Sequence, residues 1–167
     1  MSKTEVGLKE AFAGESQANR KYLAFAEKAD KEGFPQIAKL FRAAAAAETV
    51  HAHNHLRVLG GIKSTKENLQ AAVEGEHHEF TKMYPEFLEA AKEEGKKDAE
   101  RTFHYANEVE KVHHNLYNAA LEAIEKGKDL EKNDLYICPV CGYTHEGKPP
   151  DKCPVCGALK KVFKKID

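Results

Sequence analysis

The chain has no long apolar run. The longest is the alanine series Ala43–Ala47, far short of the twenty or so residues a helix needs to cross a bilayer. Net charge is equally scarce, since 26 Lys and Arg stand against 27 Asp and Glu. Without a positive excess there is no electrostatic drive toward nucleic acid, and the one basic cluster, Lys160-Lys161-Val162-Phe163-Lys164-Lys165, reads as a solvated edge. No Gly-x-Gly-x-x-Gly follows a strand pattern, so the chain does not read a dinucleotide in the usual way. Met1-Ser2-Lys3-Thr4-Glu5 has no apolar h-region behind it, so no secretory signal is expected and the cytoplasm is the default compartment. Cysteine is absent until Cys138, after which four crowd together. In a reducing compartment such crowding argues for metal rather than disulfides.

What is present is helical. Ser2 with Glu5, and Ser64 with Glu67, have capping-box spacing and open two helices. Gly33-Phe34-Pro35 ends the first helix and starts a second that runs to Gly60-Gly61. The third stops near Gly95, and a fourth runs from about Lys96 to Gly127. Each carries an inward stripe at helical spacing, such as Ile37, Phe41, Ala44, Glu48, His51, His55 and Val58 on the second. Four such stripes predict an all-α four-helix bundle over 1–127, followed by a polar linker at 128–135 and a small Pro-, Gly- and Cys-rich domain at 136–167.

Carboxylates interrupt the stripes. Glu15, Glu48, Glu76 and Glu110 lie near mid-helix on the inward faces. An unpaired buried carboxylate costs several kcal/mol even after relaxation, and four would exhaust a stability of roughly 10 kcal/mol. A positive charge must sit among them. Two of the four begin Glu-x-x-His, with His51 and His113 completing the pairs. One Glu from each of two helices and Glu-x-x-His from each of the other two is a di-iron or di-manganese ligand set. Glu79, three residues after Glu76, also faces inward as a seventh candidate. His53, His77, His104 and His114 fall off the stripes as surface residues, and His55 reads as a core group beside His51.

Cys138-Pro139-Val140-Cys141-Gly142 and Cys153-Pro154-Val155-Cys156-Gly157 are two copies of one metal knuckle, together supplying four thiolates to one ion. Spacing alone suits zinc. Beside a redox bundle iron is favoured, because iron among thiolates moves an electron and zinc does not.

With these pieces assembled, the chain resembles rubrerythrin along its full length. The matching segments are Ala11-Phe12-Ala13-Gly14-Glu15-Ser16-Gln17-Ala18, Gly75-Glu76-His77-His78-Glu79, Met83-Tyr84-Pro85, both Glu-x-x-His pairs and the rubredoxin-like tail. The resemblance implies a ferritin-like bundle and a non-haem peroxidase that reduces hydrogen peroxide, with electrons entering through a rubredoxin-like iron from a rubredoxin or an NAD(P)H-dependent reductase. It implies di-iron ligands at Glu15, Glu48, His51, Glu76, Glu79, Glu110 and His113, with Tyr22 and Tyr84 beside them. The alternatives are a ferroxidase or iron-storage bundle, and an oxygenase acting on an organic substrate.

The sequence departs from the longer rubrerythrins in one place. Their extended crossover between helices two and three is here only about Gly60–Ser64. Helix two should be about 37 Å long at 1.5 Å per residue, whereas five or six extended residues span at most about 20 Å. Either helices two and three are antiparallel neighbours, or a homodimer or larger assembly forms in which the second half of each chain completes its partner's bundle. From His113 to the helix end is about 21 Å, so the cysteine site is expected far from its own chain's His113. Pro85 is expected to disturb the third helix beside Glu79.

Overall fold

The computed structural model describes residues 1–167, which form two compact units, residues 1–63 and residues 64–167. None of the helices is long and apolar enough to cross a membrane.

The first unit is a helical hairpin of α1 (Lys3–Lys31) and α2 (Pro35–Val58). Both halves of the Ser2/Glu5 capping box form, and Pro35 takes the first turn of α2. Gly33 makes the sharp turn between them at φ +82°, a left-handed conformation that a Cβ would disfavour. The seam is built from alanine: Ala26, Ala29, Ala38, Ala45 and Ala52 are buried. Small side chains let the two backbones approach closely. Asn19 then spans the seam, its amide donating to the Ala45 carbonyl at 2.7 Å and to Thr49 Oγ1 at 2.8 Å.

Large apolar side chains of this hairpin are left open. Ile37 is 49% exposed, Leu40 68%, Val50 58% and Val58 72%. Ile37 and Val58, expected on the inward face of the α2 stripe, are therefore not covered within this hairpin. Within the chain they stay about half or more open, because alanines have taken the seam.

The second unit begins with α3 (Thr65–His78), whose Ser64/Glu67 capping box also forms. A π turn at Glu79–Met83 follows, then α4 (Tyr84–Glu93) and α5 (Lys97–Glu125). The anticipated third helix therefore runs on from Thr65 to Glu93 but carries one π bulge, and Pro85 supplies the reason. Proline has no amide to bond four residues back and its ring crowds the carbonyl there. The chain widens by one residue, so the Tyr84 amide donates to the Glu79 carbonyl five positions earlier. The Thr81 hydroxyl donates to the His77 carbonyl at 2.5 Å, satisfying an acceptor in the widened stretch. Both α3 and α4 pack against α5.

After Gly127 the chain forms a three-stranded antiparallel sheet of β1 (Leu135–Ile137), β2 (Thr144–Glu146) and β3 (Lys164–Ile166), in the order β2-β1-β3. Ile137 pairs with Thr144 and with Lys164. That register puts Cys138 at the end of the central strand.

Candidate metal centres

Three clusters of ligand-type side chains come together. In the hairpin of α1 and α2, Glu15, Glu48 and His51 bring one donor atom each within 4.8 Å of one another. Glu48 and His51 sit one turn apart on α2, with Nδ1 of the imidazole 2.9 Å from Glu48 Oε2. Glu15 approaches from α1, its Oε1 4.0 Å from the same nitrogen. Asn19, one turn beyond Glu15, pins α1 to α2 at this level and so fixes how closely the two helices present their carboxylates.

The second cluster repeats the first. Glu76 of α3 with Glu110 and His113 of α5 also fall within 4.8 Å. His113 Nδ1 lies 2.8 Å from Glu110 Oε2 and 3.8 Å from Glu76 Oε1. Without a cation these groups are in conflict. Burial, reinforced by the neighbouring Glu110, pushes Glu76 up to about 7. Glu110 is also penalised by burial, but its bonds to His113 and Glu76 outweigh that and hold it below the usual range. The Glu110 hydrogen bond raises His113 against the opposing effect of burial. The cluster therefore retains protons in the place where a metal would supply positive charge. Two carboxylates and one imidazole suit a hard or borderline divalent ion, so both trios fit the metal reading.

The imidazole of His113 is held from its other side too. Nε2 lies 2.9 Å from Thr144 Oγ1, and the Thr144 hydroxyl lies 3.3 Å from the Gly142 carbonyl. With its proton given to Gly142, Thr144 accepts from Nε2–H. That tautomer frees the Nδ1 lone pair for a metal, the familiar orientation of a ligating histidine by an outer hydrogen bond. Knuckle and ligand are thus in contact within one chain, which corrects the expected separation. The end of α5 is about 21 Å from His113, but the nine residues 126–134 can reach about 30 Å when extended, enough to fold back along α5.

The third cluster is the four cysteines. Their two segments build identical turns: the Cys138 and Cys153 amides donate to the carbonyls of Tyr143 and Ala158, and the Gly142 and Gly157 amides donate back to Cys138 and Cys153. The sulfurs close on one another, with Cys138–Cys156 at 3.6 Å and Cys141–Cys153 at 3.5 Å. All four are free thiols. Burial raises Cys141 and Cys156. Burial opposes ionisation of Cys153 as well, but the Cys156 and Val155 amides aimed at its sulfur bring it below the ordinary thiol value. Amides directed at sulfur and four converging donors describe a tetrahedral thiolate site.

Other candidates are placed more loosely. Glu79 opens the π turn and stands outside the compact trio, although burial and the charge on Glu110 both raise it. Tyr84 is half-buried, and burial together with Glu79, Glu110 and Glu76 raises its phenol. Tyr22 packs with Phe25 and Phe41, at ring-centroid distances of 6.3 and 6.2 Å. His114, expected at the surface, is half-buried between His77 and Phe80, with ring centroids at 5.6 and 5.3 Å. Thr144 is the partner of His113 that sequence reasoning missed, since nothing local marks a threonine that makes its contact only once the tail has turned back.

Comparison with known proteins agrees with this arrangement. The rubrerythrin family model matches residues 7–121, and the model for the rubrerythrin rubredoxin-like domain matches residues 136–164. The chain is 41% identical to rubrerythrin-2 of Clostridium acetobutylicum over 93% of its own length and 92% of that protein's. It is 38% identical to nigerythrin of Nitratidesulfovibrio vulgaris, covering 97% of this chain and 88% of the other. A solved structure of mixed-valence nigerythrin superposes over 99% of this chain and 88% of that one, with a TM-score of 0.58 and 36% identity. The fold is thus of the ferritin-like class with a small C-terminal sheet domain bearing the four cysteines. Carboxylate–histidine trios, a four-thiol knuckle and a match to both family models lead to one conclusion: the chain belongs to the rubrerythrin family, oxidoreductases that combine a di-iron centre with a rubredoxin-like iron.

Proposed function

We propose that this chain is a peroxidase that reduces hydrogen peroxide to water in defence against oxidative stress. Residues 1–127 serve as the di-iron part, 128–135 as a linker and 136–167 as the electron inlet. Glu15, Glu48, His51, Glu76, Glu79, Glu110 and His113 would hold two irons, and Cys138, Cys141, Cys153 and Cys156 a third, with zinc as a possible substitute at the cysteines. When bound, the di-iron centre supplies Lewis acidity and electrons to the O–O bond.

The observation that carries the reading is the contact from His113 Nε2 to Thr144, three residues after Cys141. A storage bundle has no use for a cysteine domain whose Thr144 holds its ligand, whereas an enzyme fed one electron at a time does. Each peroxide takes two electrons and two protons to give two waters. Glu79 is suited to hold such a proton, because burial and Glu110 raise it. Tyr84 faces the same carboxylates and keeps its phenolic proton, so it can donate a hydrogen bond to a bound oxygen. Tyr22, packed against Phe25 and Phe41, would serve on α1 as Tyr84 does beside the second trio. A separate reductase or rubredoxin supplies the electrons, and a reducing compartment such as the cytoplasm keeps the four thiols unpaired. Glu110→Ala should lose peroxide consumption while keeping the visible spectrum of the cysteine-bound iron. A variant that still consumed peroxide at the native rate would sink the assignment.

We further propose that the working unit is a dimer whose hairpins are exchanged. The connection between α2 and α3 is Leu59–Ser64, about 20 Å at full extension, while the 24 residues of α2 are about 36 Å long. The parallel course of helices two and three in ferritin-like bundles cannot be closed by so short a link. The apolar residues left open on the α1–α2 hairpin await a second hairpin. Native mass spectrometry should show a dimer. Insertion of a long Gly/Ser linker after Gly61 should then yield active monomers, and an active native monomer would contradict the exchange.

A further inference from the structure

A polar side chain interrupts the aromatic packing between α5 and the π turn. Phe103 packs against Tyr84 and Phe87, with ring centroids at 6.3 and 5.5 Å, and His114 packs against Phe80 at 5.3 Å. Asn107 stands four residues after Phe103 and seven before His114, so it shares their face of the helix. Its level therefore falls between Tyr84 and Phe80, at the π turn, against which α5 packs. Asn107 is only 8% exposed, and its Oδ1 is the one fully buried side-chain polar atom that makes no hydrogen bond. The nitrogen of the same amide is engaged: the Lys111 bond, helped by the Asn107 amide, holds the Glu108 carboxyl below the usual range.

The π turn has no donor to spare for that oxygen. The Tyr84 amide already donates to the Glu79 carbonyl, and the Thr81 hydroxyl to the His77 carbonyl. Pro85 brings no amide at all. The carbonyl such an amide would reach, Phe80 in the widened register or Thr81 in the regular one, is left as a second acceptor. Buried acceptors are seldom left unpaired, and one water, with two O–H donors, matches two of them. We propose that Asn107 binds a buried water against the π turn and is the positioning residue that fixes Glu79. The water donates one O–H to Asn107 Oδ1 and the other to the carbonyl freed by Pro85, tying the bulge to α5. Proline makes the widening necessary, and asparagine decides where along the segment it sits. Glu79, the first residue of the bulge, then keeps one place relative to Glu76 and Glu110. The proposal rests on the reading of Glu79 as a carboxylate of the di-iron centre, and Asn107 acts only through it.

A high-resolution crystal structure of the iron-loaded protein should show a water within hydrogen-bond distance of Asn107 Oδ1 and of the Phe80 or Thr81 carbonyl. An Oδ1 with no water against it would overturn the proposal. Two variants test the consequence. Asn107→Leu removes the acceptor at similar size, whereas the hydroxyl of Asn107→Ser can donate back to the Phe103 carbonyl and still accept from a water. In metal-free protein, amides of residues 79–84 should exchange about fivefold faster in the leucine variant, with α1 and α2 unchanged. Loaded with iron, that variant should consume peroxide about tenfold more slowly, since misplacing a positioned group by about 1 Å costs up to about 100-fold. Its cysteine-iron band should stay native, and the serine variant should recover most of both losses. Native exchange in the leucine variant, or equal losses in leucine and serine, would reduce Asn107 to packing and overturn the proposal. Should the leucine variant fail to fold, the water in the native structure decides. A native protein that consumes no peroxide would remove the peroxidase reading, while the water and the exchange rates would still decide on Asn107.

Discussion

At the level of single residues, the imidazole of His113 has both ring nitrogens committed. Nδ1 faces Glu110 and Glu76, and Nε2 is held by Thr144. Thr144→Val removes the acceptor and leaves the ring free to turn or change tautomer. Loss of one such hydrogen bond is worth roughly 1 kcal/mol, so electron transfer between the cysteine iron and the di-iron site should slow by about fivefold to tenfold. Thr144→Ser should restore it, and stopped-flow bleaching of the two centres reads both outcomes. Equal rates in all three proteins would show that the contact is only structural.

The protons held by the second trio lead to a prediction for the metal-free protein. Glu76, Glu79 and His113 all titrate above their ordinary values in the fold, so over that range the folded state binds more protons than the unfolded chain. Stability must then fall as pH rises. The window runs from the ordinary carboxylate range to about 7 for Glu76, and His113 extends it above the usual histidine value. Glu110 acts in the opposite sense, being held low, but its contribution is complete above the ordinary carboxylate value and does not change across this window. Urea midpoints of apoprotein should therefore drop between about pH 5 and about pH 7.5, and iron loading should flatten the slope because metal displaces those protons. An apoprotein that gains stability over that range would contradict the charge conflict described for the trio.

Among the elements, the π turn at Glu79–Met83 is the informative one. The proline signal was legible, since Pro85 in an otherwise helical pattern demands a disturbance. Its form was not, because a kink, a break and a one-residue bulge all satisfy proline equally. The structure chose the bulge, which gives Glu79 its own position apart from Glu76. Pro85→Ala restores an amide that can bond back to Thr81, so the segment can close into regular α-helix. The variant should be more stable to heat, as relief of an interior proline is worth up to about 3 kcal/mol, and yet turn over peroxide more slowly, because Glu79 is carried around the helix. Hydrogen exchange at Glu79–Pro85 and steady-state peroxide assays would measure the two effects. A variant equally active would show that the bulge does not serve Glu79. The capping boxes at Ser2 and Ser64 were legible for the opposite reason: both partners lie within four residues, and no tertiary context is needed to form them.

For the whole molecule, the ligand trios could be read from sequence because helical periodicity is local and a carboxylate on an apolar face has few explanations. The fold-back of the tail could not. Its cause is the reach of a structureless linker, and the contact it makes, Thr144 with His113, joins residues far apart in the chain. Periodicity also left open what covers Ile37 and Val58, since it marks an apolar face without saying whether that face is covered within the same chain.

The central claim, that peroxide is the oxidant this chain is built to reduce with electrons drawn through its cysteine iron, is tested most directly by single-turnover stopped flow. Fully reduced, iron-loaded protein is mixed anaerobically with hydrogen peroxide and, separately, with oxygen, while the visible band of the oxidised cysteine iron is followed. Peroxide should oxidise the di-iron site first and the cysteine iron after it, much faster than oxygen oxidises either. Faster oxidation by oxygen, or a cysteine iron that stays reduced while ferric product accumulates, would contradict the account and point to an iron-oxidising bundle instead.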